Sequence, residues 1–129
     1  MSAFGLDPGA TLEHEFTVEG VLLTDVGGTL GVRVLSTAGL IAMMEVPATL
    51  LAAQGLPDGC GSVGFEVCVK HVAGAVEGSR CVSVATLREV VEGRKIRFDV
   101  EVREGERVLG VGTHERRAID LAAHAQSAG

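Results

Sequence analysis

The sequence predicts an α+β fold in which one long apolar helix is covered by a curled antiparallel sheet of about five strands. Three observations predict it. Residues 36–54, STAGLIAMMEVPATLLAAQ, are the one long apolar stretch without strand-like alternation. Before it, residues 11–19 alternate apolar and polar with a period of two. After it come three or four segments rich in Val, Ile and Phe, separated by short Gly-containing turns.

Taken in order, residues 1–10 carry Gly5, Pro8 and Gly9 and read as a loose arm. In the first strand Leu12, His14, Phe16 and Val18 share one face, and Glu13, Glu15, Thr17 and Glu19 share the other. Residues 20–31 hold Gly27, Gly28 and Gly31 but fit neither GxGxxG nor GxxxxGK[ST], so a covering loop is expected rather than a phosphate cradle. Ser36 and Thr37 are both candidate helix caps, and Gly55 with Pro57 marks the stop. Pro47 inside the helix removes a backbone donor and predicts a kink. Beyond the helix, Val63, Phe65, Val67, Val69 and His71 share one parity and are expected to face inward together. Residues 80–91, 95–103 and 107–119 then read as a meander, with Ile96, Phe98, Val100 and Val102 inside. Residues 121–129 are expected to be a loose tail, and the whole of 1–129 one domain.

The totals narrow the function. The 129 residues are 47% hydrophobic, enough for a packed core, and the only aromatics are four Phe. A net charge of -6 and a pI near 5.1, with no Lys/Arg cluster, argue against a nucleic-acid surface. Cys60, Cys68 and Cys81 form no CxxC pair, so free thiols in a reducing, cytoplasmic setting are expected. Glu45 and Pro47 make the apolar run a poor membrane span.

Three polar residues stand where apolar ones would serve packing better: Thr37 at the helix start, Glu45 in its middle and His71 at the end of an inward strand row. A carboxylate in a helix apolar nearly all round has to be paired, protonated or used. A hydroxyl, a carboxylate and an imidazole are the parts of acyl-transfer chemistry. Thr37 and Glu45 are eight residues apart, about 12 Å of helical rise. They cannot touch within one straight helix, so either Thr37 precedes the helix and folds back or the two meet across a dimer interface.

The segments STAGLIAMME, VGFEVCVKH and GTHER resemble the fluoroacetyl-CoA thioesterase group of hotdog proteins, over about Leu12 to Ile119. The resemblance implies a hotdog fold, a homodimer that pairs again as a tetramer in some relatives, and hydrolysis of an acyl thioester. It implies that Thr37, Glu45 and His71 are the catalytic set, with Glu45 facing His71 as nucleophile or as activator of water. Gly64 matches a glycine whose backbone amide lies near the thioester carbonyl, and Arg116 an arginine on the cofactor-binding side. Coenzyme A enters as part of the substrate, with no separate cofactor and no metal. The group's lid ahead of the helix is aromatic and acidic, whereas LLTDVGGTLGVRVL here has no aromatic residue. The expected substrate is therefore a short or medium acyl-CoA, or an acyl group on a pantetheine-linked carrier.

Other readings of the same residues are a non-catalytic acyl-CoA or small-ligand module, a hydratase and a metal site. No Asp is followed by a His five residues on, and Glu66 and His71, which have that spacing, would face opposite sides of a strand. His14, His71 and His114 have no ligand spacing that would recommend a metal.

Overall fold

The computed structural model describes residues 4–128. Strand β1 (Thr11–Thr17) leads through a single 3₁₀ turn at Gly20–Leu22 into two short strands, β2 (Leu23–Thr24) and β3 (Val34–Leu35). Helix α1 (Thr37–Gly55) follows, then β4 (Cys60–His71), β5 (Arg80–Val91), β6 (Lys95–Glu104) and β7 (Arg107–Asp120), and a C-terminal helix α2 (Leu121–Ala128). The main sheet has the order β1-β5-β6-β7-β4 and is antiparallel throughout. Only β5, β6 and β7 form the expected meander. The chain leaves β1 at one edge, crosses the sheet through α1 to β4 at the other, and returns to pair β5 with β1.

The β5–β6 hairpin turns at Glu92-Gly93, both with positive φ (59° and 66°), the backbone of a type I′ turn. On β6 the alternation holds: Ile96, Phe98, Val100 and Val102 are buried. They meet Leu40, Met43, Met44, Ala48 and Leu51 of α1, with Leu87 and Leu109 closing the core. Each fully buried Leu or Met contributes on the order of 2 kcal/mol by leaving water. The helix approaches β7 closely at Gly110, where a Cβ would lie 2.6 Å from Leu40 Cδ2 and 3.0 Å from Met44 Cε.

Several expectations are corrected. The helix is apolar on both sides but buried on only one, since Ala42, Leu50 and Ala53 are exposed and Glu45, Val46 and Thr49 are half-buried. By length and hydropathy α1 would pass as a membrane span despite Glu45 and Pro47, yet half of that window is buried inside the protein. It runs on through the buried Pro47 as one helix. The N-terminal arm is tied down from Phe4: its ring lies on Gly55, and Gly5 N–H donates to Gly55 O at 2.7 Å and Gly9 N–H to Leu87 O at 2.8 Å. The supposed loose tail is helical to Ala128, started by Asp120, whose Oδ1 accepts from Ala123 N–H at 2.9 Å. Met1–Ala3 and Gly129 lie outside the described residues.

The inward row on β4 is also broken. The register with β7 shifts between Gly64 and Glu66, a bulge at Phe65. Gly64 pairs with Arg116 before it, and Val67, Val69 and His71 pair with His114, Gly112 and Gly110 after it. Phe65 therefore turns outward, 58% exposed, with the Arg117 guanidinium 3.5 Å above its ring.

At Gly112 the two strands approach so closely that a methyl would run into the backbone of Cys68 and Val69. Gly112→Ala is expected to cost about 3 kcal/mol in denaturant unfolding, whereas Gly74→Ala, with open space around it, should stay within about 0.5 kcal/mol of wild type.

Candidate active site

The first polar cluster forms at the start of α1. Ser36 is the cap: its Oγ accepts from Gly39 N–H at 2.8 Å. Thr37, the first helical residue, is thereby left with an unused hydroxyl, and its Oγ1 lies 2.9 Å from Nδ1 of His71. His71 ends β4 opposite Gly110, and its Nε2 is buried with no hydrogen-bond partner among the described residues. The helix starts at Thr37, so the threonine does not fold back toward Glu45.

The second cluster surrounds Glu45. This side chain is 41% exposed, and its Oε2 lies 3.6 Å from Nη1 of Arg116. A Cβ on Gly64 would come within 3.2 Å of the same oxygen, so the bare glycine backbone is what lets the carboxylate sit over β4. Arg116 is buried and held by neutral acceptors: Nε donates to Ser62 Oγ at 2.7 Å and Nη2 to Ser62 O at 2.9 Å. Its Nη1 lies 3.3 Å from His114 Nε2. Burial pushes the guanidinium below its ordinary value, and the Glu45 carboxylate acts in the opposite direction. An open groove lined by Ala42, Glu45, Val46, Thr49, Leu50 and Arg116 runs along this side of the helix.

The structure thus brings Thr37 to His71, and Glu45 to Gly64 and Arg116, but does not join the two groups within one chain. Among the described residues, the ion pair that Glu45 makes is with Arg116, not with His71. Gly64 and His71 are seven residues apart on one strand, about 20 Å. The expectation that Glu45 faces His71 fails within one subunit. Among the described residues no three His, Cys, Asp or Glu side chains are grouped as a metal site.

Of the second cluster, Ser62 has no role in the sequence reading and His114 enters it only as a rejected metal ligand. His114 did leave a signal. It alternates with Gly110, Gly112 and Arg116 on the inward parity of β7, where a buried apolar residue is the rule.

The sequence model of the fluoroacetyl-CoA-specific thioesterase FlK family matches residues 18–122. The chain belongs to that family. It is 36% identical over 89 residues to the fluoroacetyl-CoA thioesterase of Streptantibioticus cattleyicolor, a stretch covering 69% of this chain and 63% of that relative. The solved structure of the fluoroacetyl-CoA thioesterase FlK superposes with a TM-score of 0.84 at 28% identity, over 96% of each chain. A hot-dog-like protein of Thermanaerovibrio acidaminovorans shares the fold at 22% identity, with a TM-score of 0.83 over 94% of this chain and 89% of that one. The α1 helix held in the curl of a five-stranded sheet is the hotdog fold.

Burial holds the His114 imidazole below its ordinary range, as does the Arg116 charge, while its hydrogen bond to Glu66 O and the nearby Glu45 carboxylate act the other way. A depressed folded-state value means that on acidification the unfolded chain binds the proton first, so stability is lost as pH falls through about 6.5. The loss attributable to this one group is at most about 1.4 kcal/mol per pH unit. Denaturant unfolding at about pH 7.5 and about pH 5.5 should show a smaller loss for His114→Phe than for wild type.

Proposed function

We propose that this protein hydrolyses a short or medium acyl thioester of coenzyme A, at sites shared between two copies of the chain. The observation that carries the proposal is the Thr37–His71 hydrogen bond, with the opposite ring nitrogen, Nε2, buried and unpaired among the described residues. A hydroxyl freed from capping and bound to an imidazole makes an acid–base pair suited to acyl transfer. The Glu45 carboxylate beside Gly64 supplies the anionic member of the set, as nucleophile or as activator of water. The Gly64 backbone N–H and the Arg116 guanidinium are the groups we assign to the thioester carbonyl and to the substrate. Net reaction adds water to that carbonyl, breaks its bond to sulfur and leaves a carboxylic acid and the free thiol.

Two observations favour a second copy as the way to unite the clusters. Strand β4 is an edge, paired only with β7, and its central residues Gly64–Cys68 are all exposed. The N–H and C=O groups of an unpaired edge offer a pairing surface, although this one carries the bulge at Phe65 and the charged Glu66 and Lys70. The outer side of α1 presents Ala42, Val46 and Leu50 beside it, an apolar face with nothing over it. If two β4 strands pair antiparallel about a two-fold axis between Val67 and Cys68, Gly64 of one copy lies opposite His71 of the other. Glu45 of one subunit then joins Thr37 and His71 of the partner subunit, which meets the helix-spacing constraint without distortion.

Thiol release from acyl-CoAs of increasing chain length tests the chemistry. Wild type should turn over at least one of them, and Glu45→Ala or His71→Ala should lower kcat by about 10²-fold or more. Absence of turnover by wild type at every chain length would sink the thioesterase reading. Mixing tests the shared site: if Glu45→Ala and His71→Ala chains exchange subunits, the heterodimer holds one intact site. Activity should return to about a quarter of wild type. Two inactive variants that stay inactive after verified exchange would place each site within a single chain.

A further inference from the structure

Arg116 Nη1 lies 3.6 Å from Glu45 Oε2, just beyond hydrogen-bonding distance, and the same nitrogen contacts His114. Its ring is almost completely buried between β4 and β6, stacked on Phe98 with centroids 6.4 Å apart. Nδ1 lies 2.8 Å from the backbone oxygen of Glu66, at the bulge of β4. A carbonyl oxygen only accepts, so the proton of the neutral ring is on Nδ1 and Nε2 carries a lone pair. That lone pair faces Nη1 of Arg116 at 3.3 Å, and the same Nη1 lies 3.6 Å from Glu45 Oε2. Nε and Nη2 donate to Ser62, and because the guanidinium is planar and rigid, the contact at Nη1 is a third point that holds the same plane.

We propose that His114 is a positioning residue that, as a neutral Nδ1–H imidazole, accepts from one N–H of Nη1 and so holds the guanidinium plane of Arg116 with its other Nη1 N–H toward Glu45. Orientation then passes from the bulged edge strand through Glu66 O, His114 and Arg116 to the carboxylate over Gly64. Protonation of Nε2 would turn its lone pair into a donor facing another donor. The guanidinium would lose its third anchor, and Glu45 its aligned partner. The charged groups facing the ring are Arg116 from its own strand and Glu45 from α1; β4 contributes a backbone carbonyl and β6 the apolar Phe98. The inference rests on the proposed role of Glu45 but is read partly by a measurement that needs no turnover.

The test combines spectroscopy with a double-mutant cycle. In protein with ¹⁵N-labelled imidazoles, His114 should appear as the neutral tautomer protonated on Nδ1; a ring protonated on Nε2 at neutral pH overturns the proposal whether or not the enzyme turns over. His114→Phe keeps the ring's shape and removes the acceptor, and should lower kcat for the best thioester by about tenfold or more, with KM changed less. His114→Gln restores an acceptor near the Nε2 position and should recover kcat to within about threefold of wild type. In an Arg116→Met background, His114→Phe should add less than about twofold, because the histidine acts through the arginine. Equal losses in both backgrounds, or a Gln variant as impaired as the Phe variant while melting at the wild-type temperature, would overturn the relay. Failure of wild type to release thiol would count against the thioesterase reading alone and leave the tautomer measurement to decide this one.

Discussion

The rise of an α-helix is the constraint on which the proposed active site depends. Thr37 is the first residue of α1 and Glu45 lies eight positions along the same continuous helix, so their backbones are held about 12 Å apart. Side-chain rotation does not close that gap for a threonine. Strand β4 carries the other members of the two clusters and spaces them further, with His71 beside Thr37 and Gly64 beside Glu45. In the proposed dimer these are two half-sites of each subunit, one at His71 on the end of the edge strand and one at Gly64 within it. The proposed two-fold axis between Val67 and Cys68 exchanges Gly64 with His71, so that each proposed half-site meets its complement.

The same geometry accounts for the composition of α1. An apolar helix with one half-buried carboxylate looks contradictory for a helix with a single packing partner. In the hotdog arrangement α1 has two sides to cover: Leu40, Met43, Met44 and Leu51 face the sheet, while Ala42, Val46 and Leu50 face outward beside the free β4 edge. Glu45 lies at the margin between them. Its charge is met by Arg116, a cation whose closer contacts are neutral oxygens and a neutral imidazole, so its charge is not already balanced. Taking such a guanidinium out of water carries a desolvation cost, as the lowering by burial reflects. An anion nearby, whether Glu45 or charge developing on a thioester oxygen, offsets part of that cost.

Much of this was legible in the chain because the signals were periodic. The β5, β6 and β7 segments, the Glu92-Gly93 turn and the extent of α1 each follow from alternation or capping residues alone. What was not legible shows where periodicity stops informing. VGFEVCVKH reads as unbroken alternation, and nothing in its residue types marks the bulge that turns Phe65 outward while keeping His71 inside. Ser36 and Thr37 are chemically equivalent caps, and only the position of the first helical turn assigns the cap to Ser36 and frees Thr37. Helix α1 is buried on one side only, and hydrophobicity alone does not distinguish a face packed on the chain's own sheet from an exposed one. The Asp120 cap before an Ala-containing segment was a local signal of the helix α2 that went unused.

The loop before α1 bears on which acyl groups would suit the proposed site. The β2–β3 lid is anchored by Leu35 N–H to Ala75 O and by Ser36 N–H to Leu22 O, both 2.8 Å, which ties it to the start of α1 and to the chain just beyond His71. Between the anchors its backbone relies on positive φ at Val26, Gly27, Gly28 and Gly31, a conformation that the three glycines adopt without strain. Val26, Leu30 and Val32 are exposed there, as are Val72 and Val76 on the neighbouring loop. An aromatic lid would present a rigid wall with a quadrupole suited to a small polar acyl group. These branched aliphatic side chains offer neither, and the surface they remove from water on covering a ligand grows with its number of methylenes, at about 0.8 kcal/mol for each one buried. On that physical ground, the proposed site should favour an unfunctionalised aliphatic acyl chain over a two-carbon polar one.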